Sequence, residues 1–191
     1  MEIGLSSATN RNIAMAIFGF FITLACWSFG SSIGSGGDID AHISGIWCAW
    51  GEEPGMCENL GDRSATVPYM FQMCNGRPID SMPGCEVAES SDQMQTLRIV
   101  GEGARSPYYA IMGLFASRNP QQSILTMRLV NSFIATLIIF GLLKLTTGRV
   151  RLAAISGLSF TFIPAAVMRI TSVNPHGWAI IGVMTSWSFL C

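Results

Sequence analysis

An uncharged run of 21 residues, IAMAIFGFFITLACWSFGSSI at positions 13–33, constrains this chain more than any other feature. A helix rises about 1.5 Å per residue, so the run is long enough to cross a hydrocarbon core of about 30 Å. GSGG at 34–37 follows and ends it. A cleaved secretory signal is the competing account, because one basic residue, Arg11, precedes the run and small residues close it. Signal cores are shorter, about 7–15 residues. Thr23-Leu24-Ala25-Cys26 resembles a lipoprotein cleavage site only loosely. A retained span is therefore expected.

Charge distribution points the same way. Only 12% of the 191 residues are charged, about half the usual share of a soluble domain. Of twelve acidic residues, eleven lie between Asp38 and Glu102; beyond Glu102 there is none, while seven Arg or Lys remain. One stretch of the chain addresses water and the other addresses lipid.

The apolar and polar stretches divide the chain as follows. Residues 1–12 form a short amino terminus, 13–33 a first span, and 34–106 a polar segment rich in Gly, Pro, Asp, Glu and Ser. Residues 107–117 begin PYYAIMGLFA, which is too short to cross and suits an interfacial or re-entrant helix with its tyrosines among headgroups. A second span covers 124–145, with Arg128 and Lys144 near its ends, where long side chains can snorkel. A connector at 146–151 carries Arg149 and Arg151, and a third span covers 152–171 with a kink at Pro164 and Arg169 near its far end. SVNPHG at 172–177 is a turn, and 178–191 begins a fourth span that is expected to be truncated.

Lys144, Arg149 and Arg151, without a nearby acid, place the connector in the cytoplasm. Counting back puts residues 34–106 outside and the amino terminus inside. Cysteine usage agrees: Cys48, Cys57, Cys74 and Cys85 all lie in the polar segment, and an even count outside the cell suggests two disulfides with three possible pairings. Zinc is the weaker account, since the segment has no C-x-x-C pair and only His42 nearby.

Three clusters carry possible chemistry. GGDIDAH at 36–42 sets Asp38, Asp40 and His42 just beyond the first span. A carboxylate there can act as a general base toward a sugar hydroxyl or hold a divalent cation on a phosphate; it can equally cap the helix start of DAHISGIWCAW. SPYY, with Tyr108 and Tyr109, precedes Arg128; tyrosines and a helix-end arginine are commonly anchors, yet a guanidinium also grips phosphate in a bidentate manner. Arg105 and Arg118 bracket that short helix and share both readings. SVNPHGW supplies Asn174 and His176 ahead of a helix start, where an anion can bind. No nucleotide-binding glycine fingerprint is present, and the acidic segment would repel nucleic acid.

Taken in order, DIDAH, SPYY, Arg128 and NPHG resemble the D-E-x-A-H, P-x-Y-Y, span arginine and N-P-x-G motifs of a bacterial membrane family, domain of unknown function 2142. That family is grouped with the GT-C glycosyltransferases, which use polyprenyl-phosphate sugars. The resemblance covers nearly the whole chain. It implies an all-α, multi-pass helical bundle in the cytoplasmic membrane, the amino-terminal part of a GT-C-like enzyme with a large disulfide-bearing external loop. It implies further that Asp38, or Asp40 next to it, is the catalytic base or a ligand to Mg²⁺ or Mn²⁺. His42, Tyr108, Tyr109, Arg128, Asn174 and His176 would bind the lipid-linked donor, the tyrosines lining its lipid-facing entrance. The family's acidic second position is Ile39 here, with Asp40 one residue later.

A non-enzymatic membrane subunit is the rival expectation, its acidic, disulfide-stapled loop binding a basic partner protein. Transport is disfavoured, because no acidic residue lies within a span to bind a coupling ion.

Overall fold

A computed structural model describes residues 3–31, 39–59, 64–68, 73–74, 77–78, 94–98 and 106–190. The order is α1 (Ile3–Gly30), α2 (Ile39–Trp47), β1 (Glu58–Asn59), β2 (Ser64–Pro68), β3 (Met73–Cys74), β4 (Arg77–Pro78), β5 (Met94–Arg98), α3 (Pro107–Gly113), α4 (Pro120–Leu145), α5 (Gly148–Thr161), α6 (Pro164–Ile170) and α7 (His176–Leu190). The chain divides into two compact units. One takes residues 1–30, 129–171 and 176–191; the other takes 31–128 and 172–175.

The first unit is helical. Among the described residues two helices are long and apolar enough to cross a membrane, Arg11–Gly30 within α1 and Pro120–Leu145, which is α4 and joins this unit from Leu129 onward. Within the uncharged run α1 reaches Gly30. Helix α1 and the second half of α4 run antiparallel, as three contacts show. Ser28 Oγ meets Ser132 Oγ at 3.3 Å, Phe21 packs edge-on against Phe133 at 6.1 Å, and Leu24 shares a buried cluster with Ala135 and Ile139. A serine pair inside such a packed seam is a typical device of helices in lipid, where small hydroxyl residues let backbones approach and bond each other.

The third apolar stretch is two helices rather than one. α5 and α6 meet at an angle of 94°. Pro164 is the cause: at the start of α6 it lacks the N–H that a continuous helix would require, and its ring excludes the preceding carbonyl. Ile163 accordingly turns to an extended conformation ahead of it. Phe162 at the break packs edge-on against Phe20, 4.8 Å between ring centres. α7 has 15 residues, about 22 Å of helix.

Large apolar side chains stand exposed around this unit, among them Phe18, Phe29, Leu152 and Phe160, the last at 84%. Helices that are apolar on every side need an apolar surround, and lipid supplies it.

The second unit folds the polar segment. The described residues are mostly helical, but among them five short strands depart from the all-α expectation. β1, β2 and β5 form an antiparallel sheet in that order, with Thr66 opposite Thr96 at its centre, and β3 pairs with β4. Along β2, Ala65 and Val67 are buried while Thr66 between them is half-buried, the alternation expected of a strand covered on one face. α2 packs on β2, β5 and α3. Cys48, one residue past α2, is joined to Cys57 by a disulfide. This is one of the expected staples; Cys74 lies in β3, and Cys85 lies outside the described residues.

Candidate functional site

The residues brought together in the second unit are distant in sequence. His42 sits on α2, Tyr108 and Tyr109 on α3, Arg128 on the first part of α4, and Asn174 in the short segment 172–175. All five are buried. Three of the expected clusters thus contribute to one compact unit, across a separation of up to 132 positions (174 − 42).

The packing of α2 on α3 sets the geometry. Gly45 lies one turn along α2 from His42, and a Cβ there would stand 3.3 Å from the Tyr109 ring. Glycine therefore lets the phenol ring approach α2 closely. Two indoles close the other edge: Trp47 Nε1 donates to the Ser117 carbonyl at 3.0 Å, and Trp50 Nε1 to the Ala110 carbonyl at 3.1 Å. With both helices fixed, His42 Nδ1 lies 2.7 Å from Tyr109 Oη. In one imidazole tautomer the phenol O–H donates to Nδ1; in the other, Nδ1–H donates to the phenol oxygen. Tyr108 packs edge-on against Tyr109 at 5.8 Å. Burial pushes the Tyr109 phenol above its ordinary value, because a phenolate is poorly solvated there. The Tyr109 phenol therefore keeps its proton through neutral pH.

Two local readings meet the structure here. The tyrosines, which suit headgroup anchors or the lining of a donor entrance, are both buried, and Tyr109 is tied to His42. Arg128, which can snorkel or grip a phosphate, is 2% exposed, and its Nη1 donates to the Ser31 carbonyl at 2.9 Å. The reason is shared: each side chain finds a protein polar partner, which removes the need to reach headgroups. α4 is started well before Arg128, by Asn119 Oδ1 accepting from the Gln122 N–H at 3.1 Å and by Pro120 at the first helical position.

Asp38 lies outside the described residues, and Asp40 is placed by its backbone on α2, two residues before His42. His176 opens α7, belongs to the helical unit and is exposed, so it does not join the buried set. Gly177 beside it has a packing reason: a Cβ would stand 2.6 Å from the Arg169 carbonyl. Sequence reasoning missed Gly45, whose only signal was a lone glycine inside a helical pattern, and the pairing of Asn131 Oδ1 with Trp178 Nε1 at 2.9 Å in the helical unit. Among the described residues no three His, Cys, Asp or Glu side chains converge to hold a metal. Asp38 and Asp40 supply the hard oxygens that Mg²⁺ or Mn²⁺ would prefer.

Apolar helices with exposed apolar side chains, together with a second unit that buries an arginine and a histidine–tyrosine pair, define a helical membrane protein. The chain belongs to the family described as predicted membrane protein, domain of unknown function 2142, whose sequence profile matches residues 20–191. No curated protein and no solved structure matches it.

Proposed function

We propose that this chain is the amino-terminal part of a GT-C-like glycosyltransferase in the cytoplasmic membrane, multi-pass, with residues 34–106 on the outer face. The observation that carries the reading is the burial of His42, Tyr109, Arg128 and Asn174 within one compact unit, with Asp38 and Asp40 just before His42 in the sequence. A buried cation together with a hydrogen-bonded histidine–tyrosine pair suits a substrate that brings a phosphate and a hydroxyl.

In the reaction, the acceptor hydroxyl oxygen attacks the anomeric carbon of a polyprenyl-phosphate sugar. The bond from that carbon to the phosphate oxygen breaks, and polyprenyl phosphate leaves. Asp38, or Asp40, takes the hydroxyl proton. Arg128 contacts the departing phosphate, whose negative charge grows in the transition state. A divalent cation held by the aspartates would neutralise the same charge.

The test is release of free polyprenyl phosphate from its sugar conjugate, in membranes of cells expressing the natural gene. Asp38→Asn or Asp40→Asn is expected to abolish release at unchanged protein level. Retention of the parent rate by both variants overturns the proposal. Eleven acids in the polar segment favour the partner-binding subunit as the second reading. Under it both aspartate variants behave as parent, while loss of Cys48 or Cys57 abolishes recovery of the partner.

A further inference from the structure

The helical unit contains a groove of about 630 Å³ that the glycosyltransferase reading does not use. Its walls include Asn12, Ala16 and Phe20 on α1, Leu143 on α4, and Ile155 and Ser159 on α5. From Asn12 to Phe20 is eight residues, about 12 Å of helix, close to the depth of one leaflet of a core about 30 Å thick.

The described charged residues at one end of this groove are basic. Ser28 stands beside Ser132 in the antiparallel pair of α1 and α4. Seventeen residues back along α1, Arg11 therefore stands at the height reached just beyond Leu145, where α4 ends and Arg149 and Arg151 follow. Lys144 lies over the Phe140 ring at 5.6 Å, and Arg151 Nε donates to the Thr146 carbonyl at 2.8 Å, which holds its guanidinium at this end. Against these cations the sequence of the whole unit offers one acidic residue, Glu2.

We propose that the groove is a binding site for an anionic phospholipid. One acyl chain lies along α1 between Phe20 and Ile155, and the phosphate is held by Lys144, Arg149 and Arg151. An apolar slot of leaflet depth with a basic mouth complements a molecule that joins a hydrocarbon chain to a negative headgroup. A zwitterionic lipid fits the slot but gains little from the mouth.

The experiment is native mass spectrometry of the full chain released from detergent after incubation with one of three probes. These are phosphatidylglycerol, phosphatidylcholine, and glycerol 3-phosphate, which is a headgroup without chains. Phosphatidylglycerol is expected to be retained at least about tenfold better than phosphatidylcholine, and glycerol 3-phosphate not at all. The triple variant Lys144→Gln, Arg149→Gln, Arg151→Gln is expected to erase that preference. Ala16→Phe is expected to lower retention of both lipids; Ser159→Phe fills the same groove from α5 and serves where Ala16→Phe does not elute as a folded species. Both positions are exposed, so a larger ring has room. A photoactivatable acyl chain on phosphatidylglycerol is expected to label α1 or α5 in the parent chain. Equal retention of the two lipids, retention of glycerol 3-phosphate, parent-like binding by the filled variants, or labelling confined to other segments each overturns the proposal.

Discussion

His42 Nδ1 and Tyr109 Oη lie 2.7 Å apart although 67 positions separate the two residues. Removing the phenol oxygen with Tyr109→Phe keeps the ring against Gly45 and deletes only that bond. A buried polar group deprived of its partner costs about 1–3 kcal/mol. A corresponding fall in thermal midpoint is expected in detergent, while Tyr108→Phe serves as the neighbouring control.

The same pair gives a pH signature. Burial raises the folded-state value of Tyr109 above that of the unfolded chain, so above the ordinary tyrosine value of about 10 the folded state holds the proton that the unfolded state has released. The contribution of Tyr109 is constant below that pH and is lost as pH rises through the raised value. Melting followed from pH 8 upward is expected to show an alkaline decline that Tyr109→Phe reduces; an identical decline in both proteins contradicts it.

Arg128 is buried with Nη1 on the Ser31 carbonyl. Arg128→Gln removes a charged donor from a closed setting, and a loss of about 1.5–3 kcal/mol is expected in unfolding measurements. Arg128→Lys keeps the charge but not the planar fork. It is expected to fold better than the glutamine variant yet to lose phosphate-dependent activity as severely.

Gly177 faces the Arg169 carbonyl and Ile170 Cα, which a Cβ would approach to 2.6 and 3.0 Å. Overpacking against backbone costs about 1–3 kcal/mol, so Gly177→Ala is expected to lower the melting temperature. Gly182 on the same helix has open space around its Cβ position. Gly182→Ala is expected to be neutral or slightly stabilising.

The Cys48–Cys57 bridge closes a short loop, nine positions apart, and its loss through Cys57→Ser is expected to cost about 2–3 kcal/mol. It also reports on sidedness. In a Cys26→Ser background, which removes the exposed free thiol on α1, a membrane-impermeant maleimide is expected to label Cys48 and Cys57 in intact cells after mild reduction. Labelling that appears only once the membrane is opened reverses the proposed orientation.

The sequence alone determined the apolar helices, the break at Pro164 and the membrane class. Each depends on local chemistry: a run of uncharged residues has one favourable solvent, and proline cannot donate the N–H of a continuous helix. The order of DIDAH, SPYY, Arg128 and NPHG was also visible, and with it the family. Which of these residues meet was not. Both Arg128 and the tyrosines have a local explanation at the headgroups, and periodicity carries no information on a partner 67 or 97 positions away. The short strands were invisible for a related reason, since two to five residues give no alternation long enough to count. Tertiary structure decided that His42 faces Tyr109 and that Arg128 turns inward. A buried polar group is stable only beside a partner, and that partner is chosen by how helices and strands pack rather than by neighbours along the chain.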